Sequence, residues 1–146
     1  DQNDHLKVEK SIALTDMTAL KNKPVEALSG GQRQRAFLSL ALAQDARILL
    51  LDEPTTFLDI RYQLQFLDLL KRLNREQDLS IITVIHDVNL AARYCDRLAV
   101  IKDGELLAID KPREVLTKEL MKKAFQVETC TMETPIGFQI CAIKSE

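Results

Sequence analysis

Apolar residues recur at helical spacing from about Leu6 to Leu20, through Ile12, Leu14 and Met17, and the pattern breaks before Pro24. A second helix is predicted from about Gly31 to Gln44, over the run Ala36, Phe37, Leu38, Leu40 and Ala41. The period then changes. "ILLL", Ile48 to Leu51, is a short unbroken apolar run, the pattern of a strand buried on both faces. Leu64, Leu67, Leu70 and Leu73 predict a helix over about Arg61 to Arg75. "SIITVI", Ser80 to Ile85, is β-branched and apolar, and a short helix follows over about Asn89 to Tyr94. "RLAVIKDGELLAID" reads as two strands around Asp103-Gly104, a turn pair typical of hairpins. Helical pieces follow Pro112, and the tail from Glu128 to Ile143, with Pro135 and Gly137, reads as two short strands. The alternation of buried strands with helices predicts an α/β fold with a mainly parallel sheet.

Composition narrows the class without deciding the chemistry. The chain has 146 residues, enough for a domain with a real core. Hydrophobic residues make up 46%, charged residues 29%, and the net charge is -2, so no basic excess points to nucleic acid. No apolar run is long enough to span a bilayer, and nothing at the N-terminus resembles a signal peptide. Cys95, Cys130 and Cys141 are odd in number and widely spaced, which fits a reducing compartment and small apolar packing roles better than a disulfide framework or a zinc site.

The first candidate chemistry lies in "LSGGQRQR", Leu28 to Arg35. Ser29 with Gln32 fits a capping box ahead of the apolar run. That leaves two features unexplained. Gly30 and Gly31 each cost roughly 1 kcal/mol against Ala inside a helix, and Arg33 and Arg35 oppose the dipole at a helix start. Bare backbone N–H groups, no Cβ and nearby positive charge together suit an anion. Plain capping and anion binding both remain open on these residues alone.

The ends of the buried strands add to this, because α/β sheets place ligands just past the C-terminal ends of their strands. "ILLLDEP" ends in Asp52 and Glu53. Adjacent carboxylates at a strand end repel unless a cation is present. Mg²⁺ with a phosphate ligand satisfies that, leaving one carboxylate on the metal and the other to orient water. "SIITVIHD" ends in the same manner in His86 and Asp87, which gives a phosphate contact weight at His86.

Together these stretches resemble the nucleotide-binding subunit of ABC transporters. "LSGGQ" (28–32) resembles the signature motif, "ILLLDEP" (48–54) the Walker B strand, "FLD" (57–59) the D-loop and "VIHD" (84–87) the switch histidine. "ALAQDARILLLDEPTTFLDI" and "DGELLAIDKPREVLT" are most similar to ATPases of importers for iron–siderophores, haem and cobalamin. The resemblance implies the C-terminal part of a P-loop NTPase core with a mainly parallel sheet, residues about 46–146, and part of the helical signature subdomain, about 1–45. It implies ATP and Mg²⁺ as cofactors, a head-to-tail homodimer, and permease subunits as the only route of membrane contact, at the cytoplasmic face. Ser29, Gly30, Gly31 and Gln32 would grip the γ-phosphate of ATP held by the partner. Asp52 would hold Mg²⁺, Glu53 would act as general base, His86 would contact the γ-phosphate, and Asp59 would align the two sites. Arg33 and Arg35 would supply field or pair with carboxylates across the dimer interface.

One departure is large. A GxxxxGK[ST] loop, which cradles phosphates, does not occur in these residues. The adenine-stacking residue and the glutamine loop are likewise not matched. The expectation is therefore a C-terminal fragment, inactive alone. Two rival readings stand beside it: an ABC-type ATPase of DNA repair or chromosome maintenance, and a non-catalytic assembly module. The first predicts a long heptad coiled coil before "LSGG", for which Asp1 to Pro24 is short and irregular. Loss of the strand that the family places between Ser80–Ile85 and Leu98–Ile101 would leave bare edges. Those strands are expected to close up, or to pair with another chain.

Overall fold

The computed structural model describes residues 2–145, which fall into two compact units divided between Val84 and Ile85. The first unit holds α1 (Gln2–Leu14), two short 3-10 turns (Thr18–Leu20 and Val25–Ala27), α2 (Gly30–Leu42), β1 (Ile48–Leu51), α3 (Ile60–Gln77) and β2 (Ser80–Thr83). α1 stops six residues short of the apolar pattern that predicts it. Thr15 bends its hydroxyl back to the carbonyls of Ser11 (3.1 Å) and Ile12 (3.2 Å), and Asp16 turns left-handed at φ 59°. Met17 is still buried, but from the turn that follows rather than from the helix. The Thr15 hydroxyl also hydrogen-bonds that of Ser39, so the turn after α1 shares a satisfied polar contact with α2 inside the unit.

α3 supplies most of this unit's core. Asp59 caps its start, accepting from Tyr62 N at 3.1 Å. Phe66, Leu67, Leu69, Leu70 and Leu73 form its buried stripe. Asp78, left-handed at φ 51°, ends it, and Asn74 Nδ2 donates to Leu79 O at 2.8 Å. The chain then returns as β2, parallel to β1 with Ile48 opposite Ser80 and Leu51 opposite Thr83. β2 ends at Thr83, two residues short of the β-branched run. The pair is not covered on both faces as the run "ILLL" predicts. Leu49 is 6% exposed, whereas Ile48 is 60% and Leu50 73% exposed, because α3 lies on one side only among the described residues of this unit.

The second unit holds α4 (Val88–Tyr94), β3 (Leu98–Lys102), β4 (Glu105–Asp110), α5 (Pro112–Val115), α6 (Lys118–Phe125), β5 (Val127–Thr134) and β6 (Gly137–Ser145). Asp103 and Gly104 both have positive φ, 51° and 81°, as a two-residue type I′ hairpin requires. Val100, Val115, Leu116, Met121 and Ile140 form its core. The tail strands are longer than the pattern predicts, and they pair antiparallel with Cys130 opposite Cys141.

The mixed α/β class holds; among the described residues parallel pairing is confined to β1–β2, and the other two ladders are antiparallel. Among the described residues β2 pairs only with β1 and β3 only with β4, and β3 is held within its own unit by the hairpin, α5 and α6. The cysteines are half-buried rather than buried. No helix among the described residues is long and apolar enough to cross a membrane.

Candidate functional site

The predicted capping box is present at the start of α2. Ser29 Oγ accepts from Gln32 N at 3.4 Å, and Gln32 Oε1 accepts from Ser29 N at 3.0 Å. This accounts for Ser29 and Gln32 locally. Neither glycine is forced by packing. A Cβ built on Gly31 would touch the Tyr62 side chain at 3.4 Å, the near edge of ordinary van der Waals contact. A Cβ on Gly30 would meet only Leu58 Cδ2, at an ordinary 3.6 Å, and Gly30 is exposed with an unstrained backbone. Nothing within the chain requires glycine at position 30, which leaves room for a ligand to approach the backbone at the helix start.

The arginines are engaged inside the chain. Arg33 Nη2 donates to Leu28 O at 3.3 Å, and Arg35 Nη1 to Asp16 Oδ2 at 3.2 Å. Arg72 from α3 reaches the same Asp16 oxygen at 3.1 Å and also donates to Leu14 O at 2.9 Å. Asp16, Arg35, Arg72, Gln32 and Tyr62 line part of a cleft of about 550 Å³ beside Gly31. Residues 19 and 56 positions from Asp16 carry no spacing signal, so sequence reasoning misses this ionic cluster.

Past β1, Asp52 is exposed and Glu53 half-buried. Glu53 adopts φ 45°, a left-handed backbone that costs a non-glycine residue roughly 1–3 kcal/mol. Thr56 holds it there. Its hydroxyl donates to Glu53 Oε2 at 3.1 Å, and its N–H donates to Glu53 O at the same distance. Gln63 Nε2 then ties the loop down, donating to Thr55 O at 3.3 Å and Leu58 O at 3.0 Å. These bonds fix where the Glu53 carboxylate sits, and neither Thr56 nor Gln63 is identifiable from linear spacing. Asp59, which closes the loop, caps α3. Leu58 lies against Gly30 and Tyr62 against Gly31, so the loop carrying Asp52 and Glu53 runs on to pack under the start of α2.

His86 belongs to the second unit, where it is exposed. The next residue, Asp87, caps α4 through bonds from Asn89 N (2.8 Å) and Leu90 N (3.0 Å). Among the described residues no three His, Cys, Asp or Glu side chains cluster as a self-contained metal cage. An exposed Asp52 still suits Mg²⁺, which takes one or two carboxylates and completes its shell with phosphate and water.

Residues 1–56 match the family described as ABC transporter. The chain is 43% identical over 141 residues to the petrobactin import ATP-binding protein FpuD of Bacillus anthracis, covering 96% of this chain and 52% of that protein. Both similarities are to the ABC transporter family. The chain is 40% identical over 136 residues to the ferric enterobactin transport ATP-binding protein FepC of Escherichia coli (strain K12), covering 93% and 50%. The chain therefore spans about half the length of the curated relatives it matches. In fold it resembles an inward-facing metal-chelate type ABC transporter, with a TM-score of 0.88 over 99% of this chain and 59% of that one, at 23% identity. The fold is also similar to that of the ATP-binding cassette MJ0796, at 34% identity with a TM-score of 0.61 over 73% of this chain and 46% of that one.

Proposed function

We propose that this chain is the signature and Walker B portion of an ATP-hydrolysing subunit that powers import of an iron–siderophore or similar metal chelate. The observation that carries the reading is the pairing of an unforced glycine at the capped start of α2 with a strained, hydrogen-bonded glutamate past β1. The identity to siderophore-import ATP-binding proteins supports the substrate class.

In this reading ATP is the substrate and Mg²⁺ its companion ion, which neutralises phosphate charge when bound. Asp52 holds the ion with one carboxylate. Glu53 accepts the proton of the attacking water, and Thr56 and Gln63 keep its carboxylate aimed. The Ser29 hydroxyl, the Gly30 and Gly31 N–H groups and Gln32 bind the γ-phosphate of a nucleotide carried by a second, head-to-tail copy. His86 makes a γ-phosphate contact, and Asp59 aligns the paired sites. The boundary near residue 45 separates signature subdomain from core. Permease subunits provide the membrane contact, so the protein is peripheral at the cytoplasmic face.

The test compares the 146-residue chain with a protein that also carries the remaining half of the domain. The longer protein is expected to release phosphate from ATP only with Mg²⁺. The chain alone is expected to bind ATP no better than millimolar, about 4 kcal/mol, by calorimetry. Micromolar binding by the chain alone, or no hydrolysis by the longer protein, would overturn the proposal.

A further inference from the structure

The β5–β6 hairpin carries chemistry that nucleotide hydrolysis does not use. Cys130 and Cys141 stand directly opposite in its register, so their side chains leave the same face. The other face is the buried one, where Thr129 and Ile140 pack inward. Both cysteines are free and half-buried, not enclosed in the core.

The hydrogen-bonding pattern fixes how far apart the two cysteines are. Ile140 N donates to Asn89 Oδ1 at 2.7 Å, and Ile140 O accepts from Asn89 Nδ2 at 3.0 Å. Both backbone groups of Ile140 thus point away from β5, which makes Thr131–Ile140 a non-hydrogen-bonded pair. Pairs alternate along an antiparallel ladder, so the adjacent Cys130–Cys141 is a hydrogen-bonded pair with Cα atoms about 5.5 Å apart. That separation is the commonest one for a disulfide. The Cβ atoms of such a pair stand near 5.5 Å, against about 3.8 Å in a disulfide. Closing that gap strains the bond, and a strained disulfide is readily reduced again.

We propose that Cys130 and Cys141 are a reversible disulfide site, oxidised by a low-molecular-weight disulfide such as glutathione disulfide. One cysteine thiolate attacks a sulfur of the oxidant, whose S–S bond breaks and releases one glutathione thiolate. The second cysteine thiolate then attacks the protein-bound sulfur, forming the Cys130–Cys141 bond and releasing the second glutathione thiolate. The two thiol protons end on the two released thiols, so the protein loses two hydrogens and the oxidant gains them. In the reduced protein Cys141 Sγ donates to Met132 Sδ at 3.6 Å, a weak contact on the same face that a turn of the Cys141 side chain gives up. A metal site fits less well: zinc takes four ligands, and no cluster of three His, Cys, Asp or Glu occurs among the described residues. The hairpin is fastened to α4 through Asn89, three residues after His86, so oxidation stiffens the strand that holds this helix.

The test titrates the full-length protein through a series of reduced and oxidised glutathione, blocks remaining thiols by alkylation, and maps the peptides by mass spectrometry. The expected product is an intramolecular Cys130–Cys141 link, two hydrogens lighter, fully reversed by dithiothreitol. Cys130→Ser and Cys141→Ser should each abolish it, and Cys95→Ser should leave it unchanged. Glutathione adducts without the link, a link to Cys95, or links only between molecules would overturn the proposal. The wild-type map alone decides the matter if a serine variant fails to fold.

Discussion

At Gly30 the local and functional demands separate. Helix propensity alone favours Ala there by up to about 1 kcal/mol, and the added methyl would meet only Leu58 at van der Waals distance. Gly30→Ala is therefore expected to leave the melting temperature unchanged or raise it while lowering ATP turnover of the complete domain. A drop in melting temperature would place the glycine's role in packing instead. Thr129 presents the opposite case. Its hydroxyl is buried with no hydrogen-bond partner, a cost of about 1–3 kcal/mol. Thr129→Val keeps the shape and removes the orphan, so denaturant unfolding should show a gain of about 1 kcal/mol or more; a loss would mean the hydroxyl is satisfied. Residue identity makes Ser29, Gln32, Asp52 and Glu53 legible in the sequence, because each belongs to a short motif with a known physical use. Thr56 and Gln63 are not legible there, since their partners are set by the loop's backbone and by no spacing rule.

Elements are legible in kind and less so at their ends. The leucines of α3 announce its buried stripe, and Asp103-Gly104 announces the β3–β4 turn. The end of α1 is not legible, because the apolar period runs on through Met17 while Thr15 and Asp16 stop the backbone. The pairing of Cys130 with Cys141 is likewise hidden, since register depends on a turn around Gly137 that the weak alternation of the tail leaves undefined. The same hairpin carries a pH signal. Arg113 from α5 grips Glu133 of β5 with bonds of 2.5 and 2.8 Å, and its guanidinium lies 5.1 Å from the centre of the Phe138 ring. The hydrogen bonds, and then the charge of Arg113, hold the Glu133 carboxyl below its ordinary range. A depressed carboxylate stabilises the fold above its unfolded value, near 4.3, and that contribution is lost as pH falls through the folded value. The melting temperature of wild type should thus exceed that of Glu133→Gln at neutral pH, with the gap closing below about pH 4. A gap independent of pH would contradict the ion pair.

For the whole molecule, the α/β order and the strand-end carboxylates are legible in the linear pattern of residues, and the ABC ATPase architecture follows them. The covering of each strand face is not. "ILLL" reports the surroundings its residues favour and says nothing of which segment supplies them, and within this chain Ile48 and Leu50 remain exposed. The two units likewise divide the proposed machinery, with Ser29 to Gln32, Asp52, Glu53 and Asp59 in one and His86 in the other. Glu53 bears most of the proposed chemistry, as the strained and anchored carboxylate past β1. Its direct test is phosphate release by Glu53→Gln in the complete domain, with ATP binding measured on the same sample. The amide keeps the shape and the Thr56 bond but cannot take a proton from water, so binding should persist while turnover falls by about 10²-fold or more, the size of a general-base contribution. Near-normal hydrolysis with intact binding would contradict the general-base role of Glu53.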